Sequence, residues 1–100
     1  MTRIERIKQM ETLMEQCLAV LEAKHYSKEE LIAIAPTITQ LEKYYTSKQW
    51  QRDYAADTAG RLPHNLKRGV LSEDGIWNLL ETWQQAISDI DKIAEDIDEK

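Results

Sequence analysis

One hundred residues, 42% apolar and 31% charged, make one folded domain that can bury roughly two-thirds of its unfolded surface, and this composition argues against disorder. Three glycines, two prolines and no phenylalanine leave little material for turns or a β-sandwich, so helix is the default expectation. A net charge of −5 repels phosphate backbones and anionic lipid, which weighs against nucleic-acid and membrane partners, and no run approaches the ~20 apolar residues of a membrane span.

The first helix is expected over residues 2–25. Ile4, Ile7, Met10, Met14, Cys17 (with Leu18) and Leu21 recur every three or four positions and so share a stripe. Arg3, Glu5, Lys8, Glu11, Glu15 and Glu22 fall around the remaining, polar side. Cys17 is the lone cysteine: it can form no intrachain disulfide and fits a reducing compartment. The N-terminus lacks the apolar region of a signal peptide, so a cytoplasmic protein is expected. Cys17 also lies beside Leu18 with no base in sequence reach, which reads as a core thiol rather than a nucleophile.

Ser27 followed by Glu30 is a capping box and opens a second helix over 28–45. Its stripe is Leu31, Ile34, Ile38, Leu41 and Tyr45. Pro36 removes one backbone donor and crowds the carbonyl of Ile32; because the periodicity keeps its phase across it, a kink is expected rather than a break. Thr46 or Ser47 caps a short third helix over 48–58, with Trp50 and Tyr54 on one face and Gly60 as its C-terminal cap. Residues 60–71 have no helical period and read as an ordered loop pinned by Leu62, Leu66, Val70 and Leu71. Ser72 caps a last helix over 73–98, with Glu73 and Asp74 favoured by the dipole in its first turn. Ile76, Leu80, Trp83, Ile87, Ile90, Ala94 and Ile97 recur by four and three, and Leu79, Ala86 and Ile93 widen the stripe. The expected fold is all-α: an elongated three-helix bundle, closed at one end by the extra short helix and the ordered loop.

The Tyr44-Tyr45 pair, Trp50, Asp57, the Gly60-x-Leu62-Pro63 step and the run Gly69-Val70-Leu71-Ser72-Glu73-Asp74 together resemble the pattern of a small bacterial family known as domain of unknown function 4298. The resemblance implies a compact helical protein with no assigned activity, and it transfers no site residue. Gly75 departs from what the resemblance implies for the start of the last helix, where glycine weakens a helix by up to ~1 kcal/mol relative to alanine.

Catalytic motifs are absent from the sequence: it has no glycine-rich phosphate loop, nucleophile elbow or His-Glu-x-x-His. His25 and His64, its two histidines, have no motif around them. Asp53 and Asp57 lie four apart on the short helix, but without histidine or a carbonyl-rich loop they fall short of a metal site; solvation, or ion pairs to Arg52, Arg61 or Arg68, is the plainer reading. No catalytic residue, metal or cofactor is expected. Tyr44, Tyr45, Trp50 and Tyr54 suit either a stacking platform or, more plainly, closure of the bundle end. His64, Lys67 and Arg68 gather positive charge before the last helix, and Trp77 lies one position off its seam.

The leading expectation is therefore a non-enzymatic protein-interaction or regulatory domain whose partner is another protein or a second copy. Its candidate contact residues are Trp77, His64, Lys67, Arg68, Asp53 and Asp57, with Ile90, Ile93 and Ile97 for self-association. One alternative is an acidic inhibitor or immunity-type protein that docks a basic partner through the carboxylates between Asp89 and Glu99. Another is a small-ligand or catalytic domain built on the central loop with Asp53, Asp57, His64, Arg68 and the aromatics.

Overall fold

Four hydroxyl side chains, each accepting a hydrogen bond from the backbone N–H three residues on, set where the helices begin. In the computed structural model, which describes residues 1–23 and 25–98 and side-chain surroundings as far as Asp91, Thr2 accepts from Glu5 and starts α1 (Arg3–Leu21). Ser27 accepts from Glu30 and starts α2 (Lys28–Tyr45). Ser47 accepts from Trp50 and starts α3 (Lys48–Thr58). Ser72 accepts from the N–H of Gly75 at 2.9 Å and precedes α4 (Gly75–Asp98). Each bond satisfies a donor that the helix itself cannot.

The chain is all-α among the described residues, with these four helices and one 3-10 turn, Gly69–Leu71. Helix α1 stops at Leu21 rather than at residue 25, because the chain must reverse before Ser27 opens α2. Helix α4 begins at Gly75 rather than at residue 73; Glu73 and Asp74 form the turn that precedes it. Helix α2 continues through Pro36. Ile32, whose carbonyl the proline leaves without a donor, lies with Pro36 on the exposed side, where water can serve it.

The three long helices pack on one another, and the termini fix their directions. Arg3 and Arg6 at the start of α1 meet Asp53 beside the end of α2. Tyr45 at the end of α2 donates to the carbonyl of Glu73 just before α4. Trp83, two turns into α4, donates from Nε1 to the carbonyl of Leu31 near the start of α2. So α2 runs antiparallel to both α1 and α4, and the connection 46–74 stays at one end of the bundle. The molecule measures 58 × 22 × 21 Å, the elongated shape expected of it.

The core takes Ile7, Met14, Cys17 and Leu21 from α1; Leu31, Ile38, Leu41 and Tyr44 from α2; and Ile76, Leu79 and Ala86 from α4. Leu62, Leu66, Val70 and Leu71 from the loop and turn are buried with them, so the aperiodic segment is pinned by the side chains expected to pin it. Helix α3 ends in a Schellman motif: the N–H of Arg61 bonds the carbonyl of Ala56 and that of Gly60 the carbonyl of Asp57. Gly60 has φ +72° there, a left-handed conformation that favours glycine.

Candidate functional site

Asp53 lies at the centre of a polar cluster at the end of the bundle. Four donors converge on this one carboxylate. Arg6 reaches Oδ2 with Nε at 2.9 Å and Oδ1 with a terminal nitrogen at 2.7 Å, the bidentate fork that suits a guanidinium. Arg3 Nε reaches Oδ1 at 3.0 Å, and the Tyr44 hydroxyl donates to Oδ2 at 2.7 Å. Asp53 is 0% exposed. Its expected role as a solvated or partner-contacting carboxylate is therefore corrected: α3 lies across the end of α1 and α2 and turns this residue inward. The partners are also not Arg52, Arg61 or Arg68 but two arginines at the start of α1.

Electrostatics follow from that geometry. Burial alone would raise the Asp53 pKa, but hydrogen bonds from Arg6 and Tyr44, the Arg6 charge and Arg3 outweigh it, and the net shift is downward. Tyr44 moves up, first because it is buried and then because it donates to an anion. Arg6 is raised, chiefly by its bonds to Asp53. The cluster ties α1, α2 and α3 together through two guanidiniums and a phenol on one carboxylate.

Asp57, one turn on, pairs with Arg68, one of the partners expected for it. Arg68 also donates to the carbonyls of Pro63 and His64, so it braces the loop. Lys67 pairs with Glu15 at 3.4 Å across to α1, and His64 is exposed. Trp50 packs between Tyr45 and Tyr54, at ring separations of 5.0 and 5.2 Å. Its Nε1 donates to the carbonyl of Val70 at 2.8 Å, while Tyr54 donates to the Glu73 carboxylate at 2.8 Å. These aromatics close the bundle end and fasten the 3-10 turn.

Glu11, assigned above to the polar side of α1, is the second correction. It is 9% exposed and accepts the N–H of Val70 with Oε1 at 3.0 Å. The 3-10 turn presents an N–H that has no helical partner, and Glu11 supplies the acceptor. Both Glu11 and Tyr44 lie in phase with buried neighbours, Ile7 and Met14 for one, Leu41 for the other; that phase was the signal available in the sequence. Arg3 and Arg6 gave none.

Beside this turn, a groove of about 410 Å³ runs between α1 (Ile4, Lys8, Glu11) and the loop (Pro63, Leu66, Lys67). Trp77 is 52% exposed on the outer side of α4. Ile90 is half-buried against the core; the side chains of Ile93 and Ile97, named with it for self-association, lie outside the described residues. Among the described residues, no three histidine, cysteine or carboxylate side chains gather as a metal site, and no helix is long and apolar enough to cross a membrane.

The pattern of the family described as domain of unknown function (DUF4298) matches residues 7–93, well over half of the chain. The chain belongs to this family. In the DUF4298 chain, the residues that carried the resemblance now have structural work: Trp50 and Val70 share a hydrogen bond, Asp57 holds Arg68, and Gly60 takes the left-handed cap. Comparison with curated proteins and with solved structures gave no match.

Proposed function

We propose that this DUF4298 chain is a non-catalytic protein-interaction domain that takes a basic segment of another protein on the outer face of α4. The observation that carries the reading is Trp77. Ile76, Leu79, Leu80, Trp83, Ala86, Ile87 and Ile90 of the same helix all pack inward, whereas Trp77 leaves about half its surface to water. A half-exposed tryptophan is the side chain best suited to anchor an interface.

Its surroundings select the partner's charge. Asp74, in the turn that leads into α4, lies three positions before Trp77, and Glu81 lies four after it, one turn on along the helix. From Gly69 to Asp91 the sequence holds five carboxylates and no cation. An arginine or lysine arriving there gains both ion pairing and contact with the indole face. A second copy docking by a two-fold axis would instead set like carboxylates against each other, so a different protein is the preferred partner. The acidic-inhibitor reading is one form of this proposal, with a basic toxin or nuclease as partner. A reducing, cytoplasmic setting belongs to the same proposal and rests on the unpaired, buried Cys17.

Against chemistry at the central insert stands the use already made of its ionisable groups, since Asp53, Asp57, Lys67 and Arg68 bond within the fold. The test is affinity capture from the native cell with wild type, Trp77→Ala and Glu81→Lys, each first matched by circular dichroism. A basic protein retained by wild type, lost with either variant and eluted by moderate salt supports the proposal. Equal capture by all three, or elution insensitive to salt, overturns it.

A further inference from the structure

The groove beside the 3-10 turn holds a carboxylate that the fold has positioned but only half used. Glu11 Oε1 is occupied by the Val70 N–H. Oε2 has no hydrogen-bond partner among the described residues, yet no fully buried side-chain oxygen there is left unpartnered. Oε2 therefore keeps some exposure of its own, and Glu11 lines the groove.

Its position is rigid. Helix α1 holds the backbone, Val70 holds Oε1, and Gly69 leaves space for the carboxylate, since a Cβ there would lie 3.2 Å from Oε2. A nearly desolvated, immobile anion with one free oxygen gains strongly from a charged donor.

The rim supplies the opposite sign. Exposed Lys8 lies one turn before Glu11 on α1, and among the described residues no carboxylate lies within ion-pair distance of it. Lys67, across the groove, is already paired with Glu15. Ile4, Leu66 and Pro63 give the apolar wall, with Thr12 and Asn65 as further polar lining. The arrangement presents one free acceptor in the wall, one free cation a helical turn away at the rim and an apolar surface beside the two. The volume of about 410 Å³ lies within the range of small-molecule sites.

From this juxtaposition we propose that the groove binds a small zwitterion of the apolar α-amino-acid type. Its ammonium bonds Glu11 Oε2, its carboxylate pairs with Lys8, and its side chain lies on Ile4, Leu66 and Pro63. The site uses neither Trp77 nor the acidic face of α4, so it stands or falls apart from the interaction proposed above.

Amide proton–nitrogen correlation spectra of the full chain, titrated with L-leucine to millimolar concentration, test it. Saturable shifts at Lys8, Glu11, Thr12 and Leu66 are expected. Leucinamide, which keeps only the ammonium, and isocaproate, which keeps only the carboxylate, should each bind about tenfold more weakly or worse. Lys8→Ala should make leucine and leucinamide equivalent. Glu11→Gln, which retains an oxygen for Val70, should weaken leucine by about tenfold. Should that variant unfold, exposed Lys8 still decides the matter. Absence of saturable shifts, isocaproate binding as well as leucine, or Lys8→Ala leaving the preference for leucine intact would each overturn the site.

Discussion

The Tyr44 hydroxyl donates to Asp53 Oδ2 at 2.7 Å beneath the end of the bundle, and this bond joins the last turn of α2 to the middle of α3. With Arg3 and Arg6 on the same carboxylate, three helices meet at one anion. Removing the anion leaves the guanidiniums facing each other without a counter-charge. Asp53→Ala is therefore expected to cost about 3 kcal/mol of unfolding free energy, in the range for breaking a buried pair. Arg3, whose side chain is 42% exposed against 17% for Arg6, should matter least: Arg3→Ala should cost less than about 1 kcal/mol. Urea unfolding of the two variants measures both, and equal losses would refute the ranking.

The same cluster sets the response to pH at both extremes. Asp53 is lowered in the folded state, so its contribution is present above the unfolded carboxylate value of about 3.9 and is lost as pH falls through the folded value. Tyr44 is raised, so its contribution is present below the unfolded value of about 10 and is lost as pH rises through the folded value. Thermal melts across pH should show Asp53→Asn flattening the acid limb and Tyr44→Phe flattening the alkaline one. A Tyr44→Phe profile that still falls as steeply above pH ~10 as wild type would remove tyrosine ionisation as the cause.

Two glycines respond to alanine for opposite reasons. At Gly60 a new Cβ meets nothing within 4 Å, so the penalty is the left-handed backbone alone, roughly 1–2 kcal/mol. At Gly75 the Cβ would lie 2.3 Å from the carbonyl oxygen of Gly69 and 2.7 Å from Ser72 Oγ. Helix propensity favours alanine there by up to about 1 kcal/mol, but the clash is with backbone and with the capping hydroxyl. Gly75→Ala is expected to destabilise by about 1–3 kcal/mol, the reverse of the propensity rule. A melting temperature raised by Gly75→Ala would refute this.

What the sequence disclosed was local. Ser27, Ser47 and Ser72 announce their helices because a cap bonds an N–H three residues on, and the stripes of α1, α2 and α4 are readable because their period is three to four. Asp53 escaped because its two arginine partners lie 47 and 50 positions away, and a carboxylate on a short polar helix has no local mark of burial. Glu11 does share the phase of Ile7 and Met14, but the partner that makes its burial tolerable is a backbone N–H 59 residues distant. Gly75 looked like a flaw in a helix start until the Gly69 carbonyl, brought against it by the 3-10 turn, supplied the reason. The end of α1 was overrun because an amphipathic pattern does not state where the chain must reverse.

Cys17 gives a probe of the whole bundle. Its side chain is 0% exposed, and burial alone pushes the thiol pKa upward, so the native protein presents neither access nor thiolate to an electrophile. Modification must then wait for opening of the core around Ile7, Met14 and Leu31. Under native conditions the labelling rate with a thiol reagent should lie orders of magnitude below that of an unfolded control, and it should rise with urea along the unfolding curve. Asp53→Ala should accelerate labelling in proportion to its lost stability if the helical tie and the thiol open in one cooperative step. If labelling of wild type is as fast as that of a free thiol, or if Asp53→Ala lowers stability while the labelling rate stays unchanged, then α1 opens at Cys17 independently of the cluster that binds its first turn.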